Sequence, residues 1–298
     1  MIEFSYAFDT PTEKQGKELD RRFFELTHSD LTTDNYTIGY SLGATELICK
    51  ILARYRDYFV IFIGEPHPNP NKAVPQFGME FVKFKNLEAL IGYQLPKGVK
   101  NVLIYFTSTC YQTGEIHNVD VVISFIDNLK KDGISVVAVN DAVQQLFFIP
   151  SKYTTFDYII YTAHSIIGGF NMGICIYRKV CQPIGERWYS DVKNHIDALE
   201  KLLPLNGLDN FQNKYFKAFE NEIKAKRLIP LKNSAKHFFV AQIVQNPNII
   251  ERLFDNHFLE RYDNKYYIKM RLQQDSIENF TSAVNYIKNL LRYDYIDS

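Results

Sequence analysis

Four short constellations hold residue types that can do chemistry, in order along one chain of 298 residues. The first is Gly43-Ala44-Thr45, at the head of an amphipathic stretch. A helix starting there offers free backbone N–H groups and a partial positive charge. The glycine lets an anion approach and the threonine hydroxyl adds a donor. That is a phosphate cradle, although an ordinary helix start has the same composition. The second is Glu65-Pro66-His67, in a proline-rich loop, where the histidine is either a stacking ring or a solvated side chain. The third, Asp141-Ala142-Val143-Gln144, closes a buried strand. A carboxylate buried beside a ring nitrogen keeps that nitrogen protonated, and a following glutamine can donate to a ring oxygen. A strand-end aspartate equally often caps the next segment. The fourth is the run from Asp157 to Gly173, DYIIYTAHSIIGGFNMG: a strand, the pair His164-Ser165, and glycines that permit tight turning and close backbone approach.

The elements that must position these groups are legible from periodicity. Residues 13–28 read as a helix with Leu19, Phe23, Phe24 and Leu26 on its apolar side, and Gly43 opens a second helix with the stripe Leu47, Ile48, Ile51 and Leu52. DYFVIFIG, GMEFVKF, NVLIYFTST, ISVVAVND, YIIYTAHS and GICIYRK read as strands, most of them unbroken apolar runs. EPHPNPNKAVP reads as a loop, and Asn118–Lys131 as an amphipathic helix stopped by Gly133. Strands alternating with helices predict an α/β fold with a mainly parallel sheet covered by helices. After Pro183-Ile184-Gly185 the texture changes. Helices over 185–203 and 208–227, a strand over 236–244, a helix over 246–262, a strand over 264–273 and a terminal helix over 275–293 predict a smaller α+β domain. The expected division is 1–183, including the N-terminal segment 1–40, and 184–298.

The order and separation of the four constellations resemble the large domain of the fold type I pyridoxal-phosphate (PLP) enzymes. Within that group the chain resembles the class I/II aminotransferases or the class V, cysteine-desulfurase-like branch, the latter favoured by the Asp-x-x-Gln form. The resemblance implies that Gly43, Ala44 and Thr45 hold the cofactor phosphate, that His67 stacks on the ring, and that Asp141 and Gln144 bind its nitrogen and oxygen. It also implies that Arg271, in YYIKMRLQ, clamps a substrate carboxylate; an arginine alternating with Lys269 on a surface is the other reading.

Two positions depart from the family. Where it carries the imine-forming lysine, the chain has Ser165, and where it usually has an asparagine on the ring oxygen, the chain has Tyr111. Without the lysine, both the covalent handle and the usual proton shuttle are missing. Three readings stay open. The chain could be a transferase-like enzyme using PLP, or pyridoxamine phosphate (PMP), held without a covalent bond, with His164 as the proton-transfer base and an amino acid or amino-sugar as substrate. It could be a catalytically degenerate homologue that binds no cofactor and serves as a binding or structural partner. Or another lysine, such as Lys152, could take over. By the same resemblance a homodimer is expected.

Bulk properties narrow the field. Lys+Arg and Asp+Glu balance at 34 each, so no net field draws the chain to nucleic acid or an anionic membrane. No apolar run reaches membrane-spanning length, and the N-terminus lacks a signal-peptide apolar core. Four cysteines without CxxC spacing argue against a metal site and for reduced thiols in the cytoplasm.

Overall fold

A computed structural model of the chain describes residues 13–26, 30–145, 152–162, 172–185, 193, 196, 197, 200, 206–231, 238–244, 259–271 and 277–292. The chain forms two compact units, one of residues 1–109 and 117–203, the other of residues 110–116 and 204–298.

The first unit runs α1 (Glu13–Leu26), β1 (Tyr36–Ser41), α2 (Ala44–Arg54), β2 (Phe59–Ile63), α3 (Pro68–Gln76), β3 (Phe81–Phe84), β4 (Asn101–Thr107), α4 (Val119–Lys131), β5 (Ser135–Asp141), β6 (Tyr158–Thr162) and β7 (Gly173–Arg178). Its seven strands form one sheet in the order β1-β7-β6-β5-β4-β2-β3. β6, β5, β4, β2 and β3 pair in parallel, while β7 is antiparallel to both β6 and β1. The expected α/β fold with a mainly parallel, helix-covered sheet is therefore the fold observed. β2 and β6 are buried along their whole length, as strands covered on both faces must be. On one face Leu47, Ile48, Ile51 and Leu52 of α2 and Ala73 and Val74 of α3 pack with Val60, Phe62, Leu103, Tyr105, Val139 and Ile160. On the other face Phe23 of α1 lies against Tyr161, ring centroids 6.2 Å apart. Each such fully buried side chain contributes about 1.5–3 kcal/mol of transfer free energy.

Local rules explain the element ends. Asn118 caps α4 by accepting from the Asp120 N–H at 3.0 Å, and Gly133, with φ 77°, turns the chain away after its last turn. The loop expected over EPHPNPNKAVP is instead mostly α3. Pro68 and Pro70 fall in the first turn, where no N–H is needed, while Pro75 lies inside the helix one residue from its end and forgoes only the single hydrogen bond its N–H would make to the Asn71 carbonyl. β1 has no counterpart in the sequence reading. Its Tyr-Thr-Ile-Gly-Tyr-Ser composition is not an apolar run, yet five of its six residues are buried.

The second unit holds α5 (Asn206–Ala218), α6 (Glu220–Lys224), β8 (Leu228–Pro230), β9 (Phe238–Ile243), β10 (Leu259–Tyr262), β11 (Lys265–Arg271) and α7 (Ile277–Arg292). Its sheet, in the order β10-β11-β9-β8, is antiparallel throughout. The core gathers Phe211, Tyr215, Phe219, Phe239, Ile268, Met270 and Val284. This is the smaller α+β part expected. Two details correct the sequence reading. The helix expected to Tyr262 ends in a strand, because Asp263 and Asn264, with φ 49° and 57°, make the two-residue turn of the β10–β11 hairpin. The helix expected over 208–227 is broken at Phe219 into α5 and α6. Residues 245–258 lie outside those described. Among the described residues no helix is long and apolar enough to cross a membrane.

Candidate functional site

In the first unit, α2 starts where β1 ends. Gly43 is its N-cap at φ 152°, ψ 164°, and supplies no side chain, so the first-turn N–H groups have no side-chain cap. The Ser41 hydroxyl donates to the Gly43 carbonyl at 2.8 Å, and Glu46, ion-paired with Lys50, accepts from the Leu42 N–H at 3.2 Å. The lysine's hydrogen bond, more than the Leu42 N–H, holds the Glu46 carboxyl below the usual carboxylate range. Gly173, the first residue of β7, lies so close that an added Cβ would stand 2.4 Å from the Gly43 carbonyl carbon. The first constellation and the last glycine of the fourth therefore meet backbone to backbone.

The second constellation joins them through a residue that sequence reasoning passed over. The Asn69 side-chain amide donates to the Thr45 hydroxyl at 2.7 Å, and the Asn69 backbone N–H donates to His67 Nδ1 at 3.4 Å. Thr45 and His67 are both exposed. Neighbouring protein still removes enough water from the imidazole to lower the His67 pKa below its ordinary 6.5, which keeps the ring neutral at pH 7. Prolines at both ends of the α3 first turn signal such a helix start, and an asparagine there is a natural side-chain donor.

Asp141 closes β5 beside Thr107, its register partner on β4. The Tyr105 hydroxyl donates to Asp141 Oδ2 at 2.8 Å and the Val143 N–H to Oδ1 at 3.3 Å. Asp141 is 6 % exposed and Tyr105 1 %. Burial raises the carboxyl pKa, opposed by those two neutral donors, and among the described residues no cation acts on it. Burial likewise drives the Tyr105 phenol well above its usual value, so it stays protonated and donates. The backbone N–H and hydroxyl of Ser108 both donate to the Asp141 carbonyl, at 3.2 and 3.0 Å. Gln145, not Gln144, is tied down, accepting from the Thr109 hydroxyl at 3.3 Å. Gln144 Oε1 and Thr107 Oγ1 are buried without a hydrogen-bond partner among the described residues. An unsatisfied buried acceptor costs about 1–3 kcal/mol unless something fills it.

Tyr105, Thr107 and Asn69 were not singled out in the sequence. The one available signal was a tyrosine inside the aliphatic run Val102-Leu103-Ile104, whose hydroxyl had to find a partner once buried. Of the remaining candidates, His164 and Ser165 lie outside the described residues. Tyr111 falls in the segment 110–116 of the second unit, and Arg271 is the last residue of β11, in register with Phe238. Lys269, two residues earlier, is buried. Lys152 is exposed, and its ammonium pairs with Asp120 at 2.8 Å. Among the described residues no three His, Cys, Asp or Glu side chains gather as a metal-ligand set.

No family model matches the sequence, and no curated protein does either. Solved structures match over nearly the whole chain. A NifS-like protein from Rickettsia africae is 14 % identical, with a TM-score of 0.67, and the match covers 94 % of this chain and 89 % of that one. A phosphoserine aminotransferase from Cytophaga hutchinsonii is 14 % identical at a TM-score of 0.65, covering 93 % and 89 %. A serine palmitoyltransferase from Sphingomonas wittichii is 11 % identical at 0.68, covering 95 % and 77 %. Sheet order, the two-unit build and these matches agree on one architecture: the chain has the fold of the fold type I PLP-dependent transferases.

Proposed function

We propose that the chain is an aminotransferase-like protein that holds PLP or PMP without a covalent bond at position 165 and acts on an amino acid or amino-sugar. One observation carries this reading. Asp141 is a buried carboxylate at the C-terminal end of a central parallel strand, held among the described residues by neutral donors. A buried charge without a counter-charge is unfavourable. A protonated ring nitrogen would supply the missing cation. The orphaned Gln144 Oε1 and Thr107 Oγ1 and the start of α2 without a side-chain cap also fit a ligand with polar ring substituents and a phosphate.

When bound, PLP supplies a ring that withdraws electrons from the substrate carbon. The chain's own residues have separate tasks. Asp141 keeps the ring nitrogen protonated. The α2 N-terminus and Thr45 bind the phosphate, and neutral His67 packs on the ring face. His164 is the base that moves the substrate proton, a role carried over from the resemblance, as is the carboxylate clamp of Arg271. With serine at 165 no amine competes for the cofactor there. A homodimer in the cytoplasm belongs to the same proposal.

The test is titration of the purified protein with PLP and with PMP, followed by absorbance and thermal unfolding. A ligand at 100 times its Kd stabilises the fold by about 2.7 kcal/mol. A shifted visible band and a raised Tm are expected. No response to either cofactor sinks the proposal and leaves the catalytically degenerate homologue.

A further inference from the structure

The hydroxyl of Tyr105 has no packing reason to exist. Its strand neighbours Val102, Leu103, Ile104 and Phe106 are apolar and fully buried, and a phenylalanine would fill the same volume without the cost of burying a hydroxyl. Tyr105 is in register with Val139, two residues before Asp141 on the same face of the sheet, so its ring runs along the face to the carboxylate. The ring is fixed from the other side by Phe62, 5.5 Å away at 62°, within the core formed with α2. Its hydroxyl donates to Asp141 Oδ2 at 2.8 Å. Among the described residues the other ionisable group acting on Tyr105 is the Cys49 thiol of α2, which brings no positive charge. Hydrogen bonds to an ionised acceptor are the strong ones, and this is the shorter of the two that Asp141 receives through its carboxylate.

Resting on the cofactor reading, we propose that Tyr105 is the positioning residue of the site: its hydroxyl orients the Asp141 carboxylate and maintains its negative charge in a dry pocket, so that the pocket selects a cationic ring. Val143 N–H fixes the second oxygen, and the carboxylate is presented in one orientation before any ligand arrives. The asymmetry follows from the chemistry. A neutral carboxylic acid in the same place binds a neutral ring about as well as a charged one, whereas a carboxylate discriminates.

The experiment compares the parent with Tyr105→Phe in two measurements. The first is carbon NMR of the cofactor-free protein labelled at aspartate carboxyls, with the Asp141 signal assigned through Asp141→Asn. Losing a hydrogen bond to a charged group raises the proton affinity of Asp141 by about 10- to 100-fold. An unchanged titration overturns the proposal, whatever the protein binds. The second is the affinity ratio between PLP and its carbocyclic analogue, in which carbon replaces the ring nitrogen. Tyr105→Phe should cut the parent's preference for PLP by about tenfold; an equal loss for both ligands means a purely structural tyrosine and overturns the proposal. A shifted titration with no PLP or PMP binding by the parent sinks the cofactor reading alone and leaves Tyr105 as the residue that sets Asp141. If Tyr105→Phe does not fold, 3-fluorotyrosine at position 105 keeps the shape with a stronger donor. Asp141 should then titrate lower than in the parent, and no movement overturns the proposal.

Discussion

Gly173→Ala tests whether the fourth constellation acts through backbone approach to the first. The added Cβ would lie 2.4 Å from the Gly43 carbonyl carbon, 2.5 Å from its oxygen and 2.7 Å from Ser41 Oγ. Carbon atoms rest at about 3.5–4.0 Å, so the two backbones must separate by roughly 1 Å. β7 cannot retreat, because Gly173 is paired with Ser41 on one side and Thr162 on the other. Gly43 must move, and the start of α2 with it. Overpacking of this kind costs about 1–3 kcal/mol, which lowers Tm by about 2–12 °C in a unit of this size. A 1 Å displacement also takes the first-turn N–H groups out of the 2.7–3.2 Å window for holding an anion. Losing one or two charge-assisted hydrogen bonds weakens PLP by about 10- to 1,000-fold. Calorimetric titration with PLP and thermal unfolding read the two effects. Gly133→Ala is the control: its Cβ meets nothing within 4 Å, but its φ of 77° makes the substitution strained, at the far end of β5 from Asp141. It should lose stability and bind PLP like the parent. A Gly173→Ala protein that melts within about 1 °C of the parent and binds PLP equally refutes the reasoning.

Asp141→Asn has a pH signature. Burial raises the folded-state pKa above the ordinary 3.8, so the folded chain binds that proton more readily than the unfolded chain. The stability from this is present below about 3.8 and lost as pH rises through the folded value. Asp141→Asn should therefore raise Tm at pH 7, with a gain that shrinks to nothing toward pH 3, while abolishing the preference for a cationic ring; a fall in Tm at pH 7 contradicts the account. Thr45→Val removes an exposed hydroxyl bonded to Asn69, so stability should change by about 0.5 kcal/mol or less while PLP affinity, read by titration, falls about tenfold. Ser165→Lys should allow borohydride to trap PLP on residue 165, and peptide mass spectrometry locates the adduct; bound PLP without an adduct would mean that position 165 does not face the cofactor.

The sheet was legible where physical chemistry leaves one choice. β2, β4, β5 and β6 are aliphatic runs, and strands covered on both faces require that. β1 hid because its burial is owed to partners rather than composition. An added Cβ on its Gly39 would lie 1.8 Å from the Ile184 carbonyl oxygen, so a segment more than 140 residues away decides that glycine. α3 hid for another reason. Prolines were read as breakers, but at a helix start they are favoured, and only the position of the first turn distinguishes the two.

The site divides in the same way. Gly43, Thr45, His67, Asp141 and Gln144 could be named because each belongs to a short local pattern. Tyr105, Thr107 and Asn69 could not, because each matters through a neighbour set by register or by a loop path. Thr107 faces Asp141 only because β4 and β5 pair with Tyr105 opposite Val139; slipping the register by one residue would turn Thr107 and Tyr105 to the other face. Asn69 joins Thr45 to His67 only because α3 starts immediately after the histidine. The stretch from Asp141 to Gln144 therefore reads differently once its neighbours are known. A strand-end cap needs only the Val143 N–H, and a serine would serve. A buried carboxylate, answered by a phenol brought across from the next strand and by no cation among the described residues, is an arrangement that stability alone does not favour. Under the function proposed above, a ligand that carries the positive charge in accounts for it.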